Sequence, residues 1–81
     1  MTKIKHKTKG KINEIDIVIG KRLFEIRTAK QKTQNAVGES IKVTFQQIQK
    51  YEAGKNRISA GNLYLLAKFL EVPVTDFFPK D

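Results

Sequence analysis

Eighty-one residues, with sixteen Lys and Arg against eight Asp and Glu, make one small domain of net charge +8, near the lower limit for a self-supporting core. The absence of cysteine excludes disulfides and thiolate-bound metal, and the lone His6 lies among lysines with no second histidine, so neither a metal nor a cofactor is expected. No apolar run follows the basic N-terminus as a signal peptide requires, and none is long enough to cross a bilayer, so a cytoplasmic protein is expected, with no membrane partner.

Residues 1–11 carry Lys3, Lys5, Lys7, Lys9 and Lys11 with Gly10 and almost nothing apolar, a composition that predicts a disordered arm. A first helix is predicted from Asp16, as its cap, to about Lys30, with Ile19, Leu23, Ile26 and less clearly Phe24 on one face. Gly20 weakens it by about 1 kcal/mol relative to alanine, so packing has to hold that turn. Thr33 caps a second helix over residues 34–41, with Val37 and Ile41 inward. Lys42 and Val43 form a turn. Thr44 with Gln47 three residues on reads as a capping box for a third helix that sends Ile48 and Tyr51 inward.

Gly54 stands where a helix C-terminal cap needs positive φ, and Lys55, Asn56 and Arg57 form a polar loop. Ser59 caps a fourth helix over residues 60–70, with Leu63, Leu66, Ala67 and Leu70 inward; Pro73 interrupts, and residues 74–78 form a last short turn of helix. No region alternates as a strand does, so the fold class is all-α with five helices in one domain over residues 16–81, after a basic arm of residues 1–15.

Charge divides unevenly along this plan: +5 in residues 1–12, +1 in 13–41, +3 in 42–57 and −1 in 58–81. Positive charge concentrated in the arm and around the third helix suits a polyanion better than scattered lysines kept for solubility. The segment from Thr33 to Gly54 is a rigid helix pair, and its second helix shows Gln, Phe and Lys outward, side chains suited to base edges. Gly38, four residues before the turn, is read as the missing side chain that lets the third helix cross close to the second.

Several blocks together resemble the Cro/C1-type (Xre-like) helix-turn-helix family of phage and bacterial repressors: Ile19-Gly20-Lys21-Arg22-Leu23 with Ile26-Arg27, Thr33-Gln34, Val43-Thr44 with Ile48, Tyr51-Glu52 and Gly54, and Leu63, Leu66-Ala67, Leu70, Val72 and Phe77-Phe78. The resemblance spans residues 16–78 and implies a lambda-repressor-like DNA-binding domain. The function implied is a sequence-specific transcriptional regulator, a repressor acting as a homodimer on double-stranded DNA and associated with the nucleoid. The third helix, residues 45–53, would lie in the major groove. Gln34 would bond a phosphate at the start of the second helix. Thr44, Phe45 and Gln46 would face the bases at the first turn of the third, with Gln49 and Lys50 one turn later, and Lys55, Asn56 and Arg57 would grip the backbone. Arg27 and Glu52 would form a structural ion pair. Second readings stand beside these: Gln34 as a solvated surface residue, Lys55, Asn56 and Arg57 as ordinary loop residues, Phe45 as core packing, and Arg57 also as a bond to a helix C-terminus. One position departs from the family: Lys42 stands where a left-handed glycine is usual, at a cost of roughly 1 kcal/mol.

The apolar run Val72, Val74, Phe77 and Phe78 is the candidate dimer surface, or else the element that closes the core. A second class of function is the antitoxin of a toxin–antitoxin pair, binding a protein toxin and its own promoter. No serine, histidine and aspartate constellation and no glycine-rich phosphate loop is present, so no enzyme is expected.

Overall fold

Residues 12–80 are described by a computed structural model; the arm of residues 1–11, expected to be disordered, lies outside the described residues. Four α-helices follow in order, α1 (Glu14–Ala29), α2 (Gln34–Ser40), α3 (Phe45–Glu52) and α4 (Ala60–Leu70), and a 3-10 turn (Val74–Phe77) closes the chain. The all-α class stands, with the expected fifth helix reduced to that turn. Pro79 accounts for the reduction. The residue before a proline is pushed out of the helical region, and Phe78 is extended at φ −99°, ψ 153°, so helical geometry stops after four residues.

Helix α1 starts earlier than the spacing predicts. Asn13 is its cap: the Asn13 side chain accepts the N–H groups of Ile15 and Asp16 at 2.9 and 3.1 Å, and Asp16 Oδ2 accepts the Asn13 N–H at 3.1 Å. Asp16 is therefore the far half of a capping box rather than the cap itself, because two reciprocal bonds satisfy more of the orphan helix donors than one carboxylate alone. A boundary at residue 16 would cut through the first turn of α1. The other caps fall where predicted, although Thr44 and Gln47 make only the cap bond and not the reciprocal bond of the expected capping box. Thr33, Thr44 and Ser59 hydroxyls accept the N–H groups of Ala36, Gln47 and Asn62 at 3.0, 3.2 and 3.1 Å.

Ile19, Leu23 and Ile26 from α1 meet Val37, Ile41, Ile48, Tyr51, Leu63, Leu66, Ala67, Leu70 and Phe77 in one buried cluster. Each large member contributes about 1.5–3 kcal/mol of burial. Phe24 is outside this cluster, on the surface beneath Arg27, whose guanidinium carbon lies 5.5 Å from the ring centroid. Helix α3 packs on α2 and α1, whereas α4 reaches the rest of the fold through α2 and the 3-10 turn.

Two close approaches depend on absent side chains. A Cβ on Gly20 would stand 2.0 Å from the Tyr51 carbonyl oxygen, so α1 can lie against the end of α3 only at a glycine. A Cβ on Gly38 would stand 2.6 Å from the Val43 carbonyl oxygen. The neighbour that Gly38 accommodates is thus the backbone of the turn, rather than the body of α3 as the spacing suggested. That turn is tight. Lys42 adopts φ +60°, the Val43 N–H donates to the Gly38 carbonyl at 2.9 Å and the Lys42 N–H to Glu39 at 3.2 Å. This is the bond pattern of a Schellman cap with lysine in the glycine position. The same pattern ends α3, with Gly54 at φ +72°.

Candidate nucleic-acid interface

The turn geometry aims α3. With Ile48 and Tyr51 buried, helical spacing puts Gln46, Gln49, Lys50 and Ala53 on the opposite side, and these line a shallow hollow together with Lys55. None of the fold's own hydrogen bonds between described residues uses the side chains of Gln46, Gln49, Lys50, Lys55 or Asn56. Phe45 flanks this face at the first turn and is 41% exposed, so it is not part of the buried cluster. Thr44 is exposed beside it, its hydroxyl engaged in the cap of α3. Asn56 is exposed in the loop beyond Gly54.

Two candidates are held by the protein itself. Gln34 Nε2 donates to Glu52 Oε1 at 2.9 Å. Arg57 Nε donates to Asp16 Oδ2 at 3.1 Å, which ties the loop after α3 to the first turn of α1.

The expected Arg27–Glu52 pair is formed: Arg27 Nε and Nη2 donate to the two carboxylate oxygens at 2.6 and 3.2 Å, and Nη1 donates to the Lys32 carbonyl at 2.9 Å. Glu52 therefore holds α1, the start of α2 and the end of α3 in one network. Glu52 and Asp16 are matched by arginines, whereas Lys50 on the outward face of α3 and Lys55 just beyond it make no ion pair among the described residues. The result is a rigid, positively charged helix face with two amides at one-turn spacing. Such a face can exchange paired hydrogen bonds with base edges while lysines meet phosphates.

Sequence reasoning missed the Gln34–Glu52 and Arg57–Asp16 bonds, and also the Arg22 guanidinium, which donates to the Asp76 carbonyl at 2.7 Å and fastens the 3-10 turn to α1. All three join residues far apart in the chain, so no local spacing announces them.

Helices α2 and α3, set at a fixed angle by the tight turn at Lys42, with an exposed polar face on the second, define a helix-turn-helix. The helix-turn-helix family model matches residues 23–77, and the chain belongs to that family, in its Cro/C1 type. It is 46% identical over 72 residues to an uncharacterized HTH-type transcriptional regulator, y4aM, of Sinorhizobium fredii, covering 89% of this chain and 50% of that protein. The chain spans about half the length of most of the curated relatives it matches. Among solved structures, the BldD DNA-binding domain of S. venezulae superposes with a TM-score of 0.72 at 28% identity, covering 83% of this chain and 100% of that one. The restriction-modification controller protein C.AhdI of Aeromonas hydrophila gives a TM-score of 0.71 at 27% identity, over 76% and 94% of the two chains.

Proposed function

We propose that the chain is a sequence-specific, double-stranded-DNA-binding transcriptional regulator of the cytoplasm and nucleoid, acting as a homodimer and repressing by occupying its site. The outward face of α3 carries this reading: Gln46, Gln49 and Lys50 are exposed on a helix whose opposite side is buried, and among the described residues no hydrogen bond uses their side chains. In the major groove the glutamine amides suit adenine N6 and N7, Lys50 suits guanine O6 and N7, and Phe45 suits a thymine methyl. Lys55 and Asn56 take phosphates at the edge of the groove, and Gln34 offers a phosphate the amide hydrogen it does not give to Glu52.

A single α3 makes few base contacts, so two copies on a two-fold site are the physical expectation. The C-terminal run divides between its two expected uses. Phe77 is in the core, while Val72 and Val74 line an open hollow with Tyr64, Ala67 and Lys68, and Phe78 is exposed. This apolar surface is the one proposed for the second copy.

Selection of bound duplexes from a random DNA library tests the reading. The expected product is an inverted repeat with half-sites centred about 34 Å apart. A pool that remains unenriched after repeated rounds would reject sequence-specific binding.

A further inference from the structure

Lys42 closes α2 in the left-handed region, at φ +60°, a conformation that costs an L side chain stability. The conformation alone assigns nothing, because Gln31 after α1 and Glu71 after α4 lie at φ 57° and 59°. What sets Lys42 apart is its place and its charge. It stands in the link between α2 and α3, two residues before Thr44, whose hydroxyl caps the reading helix. Its side chain is exposed, and no hydrogen bond or ion pair among the described residues uses it. Glu39, the acidic residue nearest to it in sequence, meets it only through the backbone, the Lys42 N–H donating to the Glu39 carbonyl at 3.2 Å. The fold thus tolerates a strained cation whose side chain makes no bond within it.

From this we infer that Lys42 is a phosphate-binding residue of the DNA interface, gripping the backbone beside the N-terminal end of α3. The inference rests on the DNA-binding reading and adds to it a contact at the end of α3 that the other phosphate ligands do not reach. Lys55 and Asn56 follow α3, and Gln34 is held at its C-terminal end by Glu52. A helix with its side chains is about 10–12 Å across and the major groove about 12 Å wide, so α3 lying in the groove fills it. The chain that enters α3 must then pass beside one of the phosphate walls. Lys42 is on that stretch, its Cα no more than about 7 Å from that of Thr44, and its four-carbon stem carries the ammonium group further. The root of the stem is held in place: the Val43 N–H donates to the Gly38 carbonyl at 2.9 Å, and the turn packs directly on Gly38. A lysine meets a phosphate as a point charge, so the contact adds affinity without changing which bases are preferred. Backbone strain kept at a ligand contact is a known use of such strain.

The test uses the full chain and the duplex selected from the random library, with its flanks. Lys42→Gln keeps the Cβ and its strain and removes the charge. It should flatten the slope of log K against log salt by about 0.9, the loss of one phosphate contact, and leave base preference unchanged; Lys42→Arg should keep the slope. A change of less than about half that amount in Lys42→Gln would overturn the inference. Lys42→Gly should bind more weakly although its fold is the more stable, whereas Gln31→Gly, which relieves the same strain after α1, should bind as the unaltered chain does. Equal or tighter binding by Lys42→Gly would remove the contact. Methylphosphonate replacement of one phosphate at a time locates it. The unaltered chain should lose affinity at a position beside the N-terminal end of α3 where Lys42→Gln is indifferent. Identical profiles for the two proteins would overturn the assignment. Failure of the unaltered chain to bind any duplex would instead reject the parent reading of DNA binding.

Discussion

Lys42 occupies the left-handed region at φ +60° in the turn that aims α3. A side chain there crowds the following carbonyl, at a cost of roughly 1 kcal/mol that glycine avoids. Lys42→Gly should therefore raise unfolding stability by about 1 kcal/mol, a rise in Tm of roughly 4–8 °C for a domain of this size. Urea and thermal unfolding would check it, and a loss of stability would mean that the lysine side chain makes a compensating contact. Gln46 belongs to the same scale because its role is set by one exposed amide. Gln46→Ala should cost about 1–3 kcal/mol on the selected duplex and nearly nothing on random DNA. Equal losses on both would remove Gln46 as a base reader.

Between elements, the decisive joints are Glu52 and Gly20. Glu52 binds Arg27 and Gln34, and the Arg27 and Glu52 side chains are 11% and 7% exposed, so truncating Glu52 strands a guanidinium out of water. Glu52→Ala should destabilise by about 3–5 kcal/mol, while the double change Arg27→Met with Glu52→Leu should recover most of that loss in urea unfolding. Gly20→Ala reverses an ordinary rule. Alanine usually gains about 1 kcal/mol over glycine inside a helix, but here its Cβ would fall 2.0 Å from the Tyr51 carbonyl, so α1 must shift off α3. The expected result is a loss of about 1–3 kcal/mol by thermal unfolding; a gain would show that the two helices are not held at this distance. These joints also show what the sequence made legible. Thr33, Thr44, Gly54 and Ser59 announced element ends because caps act within three or four residues, and the inward faces followed from helical spacing. Asn13 was passed over because Asp16 offered an equally good cap, and only the reciprocal bond between them decides. The partners of Gln34, Arg57 and Arg22 lie 18 to 54 residues away, beyond any local pattern. The Arg27–Glu52 pair was anticipated only through family resemblance, for the same reason.

At the scale of the whole molecule, the proposed reading and pairing surfaces would fall to different elements. Helix α3 packs on α1 and α2, while the apolar hollow of Tyr64, Val72 and Val74 belongs to α4, the link after it and the first residue of the 3-10 turn. A second copy seated on that hollow would leave both α3 faces open, and a two-fold arrangement would present them to half-sites one helical turn apart. The hollow can therefore be altered without touching the reading face. Val74 is 39% exposed, so Val74→Asp should change monomer stability by no more than about 0.5 kcal/mol. Facing its own symmetry mate, the new carboxylate would be buried against a like charge. Sedimentation should then show the dimer dissociating at least about tenfold more readily, equivalent to about 1.4 kcal/mol. Binding to the inverted repeat should weaken while binding to an isolated half-site stays the same. If the half-site weakens equally, Val74 acts through the fold of the monomer. If sedimentation is unchanged, the second copy docks elsewhere, and the exposed Phe24 and Ile17 on α1 become the apolar residues to vary next.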